Sequence, residues 1–425
     1  MAFFALLALA LLGTPLFVII VASALLGFQS ADIDLAVVAI EFYRLAEMPI
    51  LLAIPLFTFA GYLLSESKAP QRLVAVTQSL IGWMPGGLAI VALFACALFT
   101  AFTGASGVTI IALGALLYPA LMQAGYRENF NLGLITSSGS LGVLFAPSLP
   151  LILYGIVSQQ LGVGEPFSID DLFLAGILPG LLMIAALSIW SIYQGHRLPT
   201  QSFSSPKLLS AIKNAAWEIP LPIIVLGGIY SGYFAVSEAA AVTALYVLVV
   251  EVFIYREITL RQLPKIMRDS MVLVGAIMII LGVSLASTNY LIDAEIPTQI
   301  FETIQTHIDS PLAFLLALNI FLLILGMMLD IFSAIVIMTP ILLPIAAGYG
   351  IHPIHLGIIF LANMQIGYFT PPVGMNLFIA SYRFKKPILQ LYTATFPYFI
   401  ILLITVLIIT YWPALSLTLV ELNRG

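Results

Sequence analysis

The feature that most constrains this chain is a series of long apolar runs. The hydrocarbon core of a bilayer is about 30 Å thick, so a helix needs about 20 apolar residues to cross it. The runs predict a polytopic all-α membrane protein with about eleven crossings. They lie near 2–28, 48–64, 84–100, 130–157, 172–194, 217–235, 238–255, 269–290, 311–328, 355–381 and 388–412.

The overall composition excludes a soluble protein. Hydrophobic residues make up 61% of the 425 positions and Asp, Glu, Lys and Arg only 8%, whereas about 25% of a soluble domain is charged. One core could not bury so much apolar surface and keep a solvated exterior. The formal net charge of −5 is spread over the loops, and nothing in it suggests nucleic-acid binding. With Cys96 as the only cysteine, no intrachain disulfide can form.

The first run predicts a retained transmembrane helix. A cleaved signal peptide has a basic start and a shorter apolar core. No Lys or Arg precedes or interrupts the run up to Phe28, which is apolar for more than 20 positions.

Two further kinds of segment interrupt the pattern of spans. The apolar stretches 101–124 and 329–349 carry polar residues, glycines or prolines near the membrane midplane, which predicts re-entrant hairpins. Segments 31–47, 65–82 and 293–309 are amphipathic and predict helices in the membrane interface, with ordinary loops as the alternative.

The distribution of basic residues predicts an orientation. Loops 196–213 and 256–268 contain Lys and Arg, whereas loops 158–171 and 291–310 contain acids but neither of the two basic residues. The positive-inside rule places the first pair in the cytoplasm and the second pair outside. Counting back through the spans places the N-terminus outside.

An internal repeat is the most informative pattern in the sequence. The separations between matched prolines and glycines are six, eight and fourteen residues in the first half and six, seven and fourteen in the second. A single one-residue slip thus aligns more than thirty positions. The matched positions are Pro119, Gly125, Gly133 and Pro147 in the first half, and Pro344, Gly350, Gly357 and Pro371 in the second.

The repeat divides the chain into four parts. Residues 1–195 and 238–412 form two related halves, joined by the linker 196–237 and followed by a C-terminal tail, 413–425. Secondary transporters commonly consist of such repeats, with discontinuous helices that meet near the membrane midplane.

The segment 130–157 cannot form one continuous helix. Pro147 and Pro150 remove backbone donors and disfavour helical geometry before them. Carbonyls freed in this way need partners, and a cation is a suitable one. Ser137, Ser138 and Ser140 add hydroxyl oxygens, a hard ligand set that suits sodium.

The counterpart segment 355–381 breaks in the same way, at Thr370-Pro-Pro-Val-Gly374. Thr370, Asn363 and Asn376 supply side-chain oxygens there. For each hydroxyl taken singly, the alternative is a bond back to the carbonyl of the preceding turn. Clustering at two equivalent breaks favours a binding role.

Asp330 is an acid flanked by apolar runs. Such a residue is costly in a membrane unless it is paired or faces a cavity, so it is a candidate functional residue. The alternative is a hairpin-tip residue at the water interface.

One enzyme motif is present. Gly104-Ala-Ser-Gly107 fits the G-x-S-G pattern around the serine of rhomboid-type intramembrane proteases. That chemistry needs a histidine base close to Ser106. All four histidines are interpreted as loop or span-end residues, so an intramembrane serine hydrolase is the remote alternative. The pair His352 and His355 is a weak metal signal, because no cysteine or acid is close in sequence and Pro353 breaks helical spacing.

A series of motifs occurs in order from about residue 10 to 412. They are Leu52-Ala-Ile-Pro-Leu-Phe57 with Gly61, Pro85-Gly86-Gly87, Gly104 to Gly107, Pro147-Ser148-Leu149-Pro150, Leu174 to Gly180, Ser237 to Ala241, Pro340 to Pro344, and Thr370 to Gly374. In this series the chain resembles the large membrane subunit of tripartite ATP-independent periplasmic (TRAP) transporters. Near the first hairpin it departs from the family, which has a Gly-Ser pair followed by an acid where this chain reads Thr103-Gly-Ala-Ser-Gly-Val-Thr109.

The resemblance implies a subunit of the bacterial inner membrane that is not an enzyme. Its implied partners are a small four-helix membrane subunit and a periplasmic substrate-binding protein. It implies sodium-driven import of an organic acid anion, such as a C4-dicarboxylate, sialic acid or a similar carboxylate or sulfonate, by an elevator movement. Sodium ions are the only implied cofactors. A stand-alone ion-coupled anion transporter of the same fold is the alternative.

The resemblance also implies that the two halves are inverted in the membrane. Six crossings from the first span to its partner at 238–255 make an even number, which gives parallel halves. One span is therefore expected to be wrong, and 217–235 is the first candidate.

The resemblance further implies two sets of site residues. Sodium would bind at the two breaks and be closed in by the hairpin tips, and the anion would lie between the tips. The implied sodium ligands are Ser137, Ser138, Gly139, Ser140, Thr370, Gly374, Asp330 and Ser333. The implied anion-binding residues are Thr103, Gly104, Ser106, Ser148, Asn363 and Asn376.

Overall fold

The computed structural model describes residues 14–30, 33–196, 198 and 203–424, and every regular element in that part of the chain is helical. Residues 2–13 of the expected span 2–28 lie outside it. The helices up to residue 195 are α1 Leu16–Ser30, α2 Ala36–Ala46, α3 Ala53–Glu66, α4 Ala69–Ile81, α5 Gly87–Thr103, α6 Ser106–Gln123, α7 Glu128–Ser138, α8 Leu149–Leu161 and α9 Ile169–Gly195. The 3-10 turns Pro49–Leu52 and Leu141–Leu144 lie between them.

The remaining helices repeat much of this order. They are α10 Ser205–Asn214, α11 Pro220–Tyr230, α12 Val236–Leu248 with the π turn Val249–Ile254, α13 Leu263–Asp293, α14 Ile296–Gln305, α15 Pro311–Met328, α16 Ile331–Gly348, α17 Pro353–Gly367, α18 Met375–Phe384, α19 Ile388–Tyr411 and α20 Ala414–Arg424. Each half thus contains a long apolar helix, a short amphipathic helix, two helices joined by a two-residue link, a broken helix and a closing helix.

The first hairpin is longer than the sequence predicts. Helix α5 ends where Gly104 adopts a left-handed φ of 65° and donates its N–H to the Thr100 carbonyl at 2.8 Å. A Cβ at Gly104 would lie 2.5 Å from the Leu149 side chain, so the close turn requires glycine. Helix α6 starts at Ser106, so Gly104 and Ala105 form the first tip. The hairpin therefore comprises 87–123, and the predicted limits 101–124 are wrong because they leave out its first arm.

The second hairpin differs from its prediction in the same way. Helix α15 ends at Met328, and α16 begins at Ile331 after Leu329 and Asp330, which form the second tip. The predicted span 311–328 is thus the first arm of this hairpin, and the predicted limits 329–349 cover only the second arm. Arms of 17 or 18 residues are nearly as long as a crossing helix, so apolar length alone does not separate the two.

These hairpins change the count of crossings. In the described part of the chain, eight helices are long and apolar enough to cross a membrane, and the bent pair Glu128–Leu144 with Leu149–Leu161 makes a ninth. Three of these eight helices, Ser106–Gln123, Pro311–Met328 and Ile331–Gly348, are arms of the hairpins. The expected spans 84–100 and 217–235 contain the shorter apolar helices Gly87–Thr103 and Pro220–Tyr230. The number of crossings and the inversion of the two halves therefore stay predictions.

Both broken helices part near their prolines. In the first, α7 and its 3-10 turn are bent by 41° relative to α8, which begins after Ser148. In the second, α17 ends at Gly367 and α18 begins at Met375, with Gly374 at a φ of 43°. Cis peptide bonds occur at Ala146–Pro147 and Pro371–Pro372.

The three amphipathic segments contain the short helices α2, α4 and α14. Residues 31 and 32 of the first segment lie outside the described residues. Helix α4 is held by Arg72, whose Nη1 lies 2.6 Å from Glu257 Oε1 and whose Nη2 lies 3.3 Å from Glu251 Oε2, while Nε contacts Glu218. Helix α13 packs against α1, α2 and α3 and also contacts α16.

Candidate functional site

The two hairpin tips and parts of both helix breaks line one cavity of about 430 Å³, the tip cavity. Its wall on the opposite side comes from α13 and Tyr62. The first tip contributes Gly104, Ala105 and the start of α6, and the second tip contributes Asp330 and the start of α16. Val143, Tyr368 and Met375 come from the breaks. Two parts of the chain that are far apart in sequence therefore meet at one site.

A chain of hydrogen bonds joins the start of α6 to both broken helices. Ser106 Oγ donates to Asn376 Oδ1 at 2.7 Å, and Asn376 Nδ2 donates to the Thr136 carbonyl at 3.3 Å. All three residues are buried. The structure thus brings Ser106 and Asn376 together at the cavity edge.

The N-terminus of α6 has no side-chain cap. Ala105 occupies the N-cap position in extended geometry and offers no acceptor. Ser106, Gly107 and Val108, which begin the helix, line the tip cavity. The first amides of a helix lack intrahelical partners and carry its partial positive charge. Nearby, the Thr103 hydroxyl is buried and has no hydrogen-bond partner within the described chain.

The N-terminus of α16 is capped by an acid. Asp330 Oδ1 accepts from the amides of Phe332 and Ser333, both at 3.0 Å, and Oδ2 accepts from the Ser333 hydroxyl. The Ile331 amide donates to the Tyr368 hydroxyl at 2.6 Å. The first three amides of α16 therefore all have acceptors, and a carboxylate lies at the cavity wall.

The serines of the first break divide into two groups. Ser137 Oγ donates to the Gly133 carbonyl at 2.8 Å and Ser138 Oγ to the Ile135 carbonyl at 3.4 Å, within their own helix. Ser140 Oγ lies 3.3 Å from the Ser137 carbonyl and also reaches the Gln365 carbonyl of α17 at 3.1 Å. A donating hydroxyl keeps its lone pairs, so these bonds leave an oxygen for a cation.

Other contacts hold the two breaks in place. The Gly139 carbonyl accepts from Thr100 Oγ1 at 2.8 Å, which ties the first break to α5. In the second break, Thr370 Oγ1 donates to the Ile366 carbonyl at 2.8 Å. The Gly374 amide donates to the Met327 carbonyl at 3.1 Å, which ties this break to α15.

Two predicted anion-binding residues lie elsewhere. Ser148 caps α8 and donates to the Val143 carbonyl. Asn363 Nδ2 donates to Asn319 Oδ1 at 2.7 Å, and Thr410 Oγ1 donates to the same oxygen at 3.1 Å. Neither Ser148 nor Asn363 lines the tip cavity.

The sequence did not predict the wall of the cavity that α13 and Tyr62 form. Leu273, Ile277 and Ile280 of α13 face the tips at three- and four-residue spacing. Tyr62 and Tyr368 also line it. Tyr368 lies two residues before the predicted break, so the sequence could have identified it as a site residue. The residues of α13 that line the cavity are all apolar, so nothing in the sequence indicated their role.

Among the described residues, no histidine contacts the Ser106 hydroxyl, which donates to Asn376. His355 bonds Ser416 and the Thr410 carbonyl, and His352 lies 3.4 Å from Glu165. The described residues contain no group of three or more His, Cys, Asp or Glu side chains that could hold a metal ion. The described contacts of Ser106 therefore do not include the histidine base of the hydrolase alternative.

Comparison with solved structures shows the fold. The structure titled "Crystal structure of the Alcanivorax borkumensis YdaH transporter reveals an unusual topology" superposes with a TM-score of 0.65, covering 90% of this chain and 88% of that one at 13% identity. The chain is thus similar in fold to that transporter.

Sequence comparisons give the family. The C4-dicarboxylate TRAP transporter large permease protein DctM of Pseudomonas aeruginosa is 37% identical, over 90% of this chain and 88% of that protein. The isethionate TRAP transporter permease protein DctMQ of Oleidesulfovibrio alaskensis is 34% identical over 90% of this chain, which covers 59% of that protein. Residues 1–415 match the family model of the tripartite ATP-independent periplasmic transporter, DctM component. The chain is therefore a multi-pass membrane subunit that belongs to the DctM family of TRAP transporters.

Proposed function

We propose that this subunit imports an organic acid anion together with sodium ions. The observation that carries the proposal is the tip cavity, where two helix N-termini and two broken helices meet. Discontinuous helices of this kind place helix ends and unwound carbonyls at the substrate and ion sites of secondary transporters.

The anion fits the first tip. The α6 N-terminus opens into the cavity without a cap, and amides at a helix N-terminus favour negative charge. Ser106 and Thr103 add hydroxyls at the same end. The substrates named for the two relatives, a C4-dicarboxylate and isethionate, are small organic anions, which supports the same class here.

Sodium fits the second tip and the breaks. Asp330 places a carboxylate at the cavity wall, and Ser140 and Thr370 place hydroxyl oxygens at the two breaks. Oxygen ligands with a single charge suit a hard monovalent cation. The bound cation would also offset the charge of Asp330 near the anion.

The position of α13 supports an elevator movement. The cavity lies between this helix and the two tips, so the tips and breaks have a surface to slide along. One polar contact crosses the boundary. Pro340 has no N–H, which leaves the Val336 carbonyl of α16 without its helical donor. Ser284 Oγ of α13 donates to it at 2.9 Å.

Family membership supports the remaining parts of the proposal. The subunit would act in the bacterial inner membrane with a small four-helix membrane subunit and a periplasmic binding protein that delivers the anion.

Reconstitution tests this function. We would purify the chain with its small subunit, form proteoliposomes, and measure uptake of labelled succinate and isethionate with candidate binding proteins. Uptake should require both the binding protein and an inward sodium gradient. Undiminished uptake in choline would contradict sodium coupling, and uptake by the chain alone would instead indicate a stand-alone transporter.

A further inference from the structure

The charged groups around the tip cavity are few and of one sign. Asp330 is the one carboxylate among the described residues that line it, and that lining contains no Lys, Arg or His. Arg383 donates from Nε to the Ile111 carbonyl at 3.1 Å, but its side chain is not part of the lining. Positive charge in the cavity therefore comes from helix N-termini alone.

Only one of the two helix N-termini is available to an anion. Asp330 Oδ1 accepts from two amides at the start of α16, so the carboxylate offsets the positive end of that helix. The start of α6 has no side-chain cap, and the buried Thr103 hydroxyl beside the first tip has no partner in the described chain. The cavity thus has one position for an oxyanion group, at the first tip.

The other polar side chains of the lining are neutral. Ser106 already donates its hydroxyl hydrogen to Asn376 Oδ1 at 2.7 Å. Tyr62 and Tyr368 have one hydroxyl hydrogen each, so they can bind a hydroxyl or carbonyl of a ligand. They do not offset a second full charge, and an ion without a counter-charge is strongly disfavoured away from water. One sodium ion at Asp330 would offset the charge of that carboxylate only.

The rest of the wall is mainly apolar. A water molecule takes up about 30 Å³ in the liquid, so a cavity of about 430 Å³ has room for roughly a dozen non-hydrogen atoms. Each CH2 group moved from water onto an apolar wall tightens binding roughly fourfold. A hydrocarbon body therefore fits better than a polyhydroxylated one. Most of the apolar wall comes from Leu273, Ala276, Ile277 and Ile280 of α13 and from Val108 and Ile111 of α6.

We propose that the tip cavity selects monovalent organic anions, with a single carboxylate or sulfonate on an apolar body, over dicarboxylates and polyhydroxylated acids. This selectivity rests on the proposed function, which places the transported anion in this cavity. The expected substrate has a single charge like the isethionate named for one relative, and differs in charge from the C4-dicarboxylate named for the other.

Thiol protection measures the selectivity of the cavity without a binding protein, whose own specificity would affect uptake. Cys96 is the only cysteine and is buried, so Cys96→Ala gives a background. Ala276→Cys on α13 and Val108→Cys on α6 place reporters in the lining. Thr306→Cys, at an exposed position outside the lining, is the control. Each variant, purified with the small subunit, is labelled with N-ethylmaleimide in saturating sodium at constant ionic strength.

Sulfonates form a matched series of protecting ligands because they stay ionised at every working pH. The half-protecting concentration should fall about tenfold from ethanesulfonate to butanesulfonate, since two CH2 groups are added. Butane-1,4-disulfonate should require at least about tenfold more than butanesulfonate, because its second charge has no counter-charge in the lining. Leu273→Lys adds a cation to the wall and should narrow that difference severalfold. Labelling of Thr306→Cys should not change with any sulfonate.

Two results would overturn the selectivity and leave the proposed function standing. One is equal or better protection by the disulfonate, and the other is protection that does not depend on chain length. If no sulfonate protected either reporter, the anion would not bind in the tip cavity, and the proposed function would lose its site as well. The comparison of mono- and disulfonate does not depend on Leu273→Lys, and two reporters keep it decisive if one variant fails to fold.

Discussion

The two hairpin tips have the same architecture and opposite chemistry. At the first tip, Ala105 leaves the amides at the start of α6 without a side-chain cap. At the second tip, Asp330 accepts hydrogen bonds from two amides of α16 and from the Ser333 hydroxyl. Both helix starts line the same cavity.

The two halves of a repeat can thus form two unlike binding sites. A helix N-terminus carries about half a positive charge. It stays available to an anion at the first tip and is neutralised by a carboxylate at the second. The repeat supplies the geometry twice, and one residue at each N-cap determines which charge the tip attracts.

The largest effect is expected from removing the acid at the second tip. Asp330→Asn keeps an oxygen for the Phe332 and Ser333 amides but removes the negative charge. A bond to a charged group contributes about 1.5–3 kcal/mol, so the sodium concentration for half-maximal uptake should rise roughly ten- to over a hundredfold. Sodium titration of uptake in proteoliposomes measures this.

The control at this position is Asp330→Ala, which removes the cap as well. It should lower the melting temperature below that of Asp330→Asn, because a lost N-cap costs about 0.5–2 kcal/mol. If Asp330→Asn titrates like the wild type and only Asp330→Ala is impaired, Asp330 is a cap and no sodium ligand.

Placing an acid at the first tip should impair the anion site. Ala105→Asp reproduces at α6 the cap that α16 has, so it competes with an anion for the same amides. The expected penalty is about 1–2 kcal/mol, a roughly five- to thirtyfold rise in the anion concentration for half-maximal uptake. Ala105→Asn caps without charge and serves as the control. Equal effects of the two variants would mean that charge at this tip is irrelevant.

Removing the Ser106 hydroxyl should have a moderate effect. Ser106→Ala leaves the buried Asn376 Oδ1 without its donor at 2.7 Å, which costs about 1–3 kcal/mol of stability. We expect a lower melting temperature in detergent and weakened but measurable uptake, with Ser106→Thr closer to the wild type. Cleavage of a transmembrane substrate by the wild type but not by Ser106→Ala would show that the subunit is a hydrolase instead.

The smallest effect is expected at the second break. Thr370→Ala removes one oxygen and the bond to the Ile366 carbonyl, and spares the prolines. A single such bond contributes about 0.5–1.5 kcal/mol, so half-maximal sodium should rise roughly two- to tenfold. Thr370→Ser should behave like the wild type. An alanine variant with lower thermal stability but normal sodium dependence would exclude Thr370 from the sodium site.

Much of the fold follows from the sequence because prolines and glycines mark backbone positions. Pro147 and Pro371 lie at the two breaks, and Gly104 lies at the first tip. The hairpin limits did not follow, because α5 and α15 are as apolar as crossing helices and only the two-residue links that follow them show where each hairpin turns.

The site was harder to predict because it depends on which face each residue occupies. Asn363 and Asn376 both flank the second break in sequence, yet Asn376 meets Ser106 and Asn363 meets Asn319. One half of the contact between Ser284 and Val336, the need of the Val336 carbonyl for a donor, could be predicted from the sequence. Each proline inside a helix frees the carbonyl four residues earlier, and Pro340 therefore marks Val336 as needing a donor.

The most direct test of the contrast between the tips measures the sodium and the anion concentrations that give half-maximal uptake, both on the same proteoliposomes. Half-maximal sodium is measured at saturating anion, and half-maximal anion at saturating sodium, for Asp330→Asn and Ala105→Asp. We expect Asp330→Asn to raise the sodium constant at least tenfold and the anion constant no more than about twofold, with the reverse for Ala105→Asp. If both variants shift the same constant, or if neither constant moves, the two tips do not divide the binding of anion and cation between them.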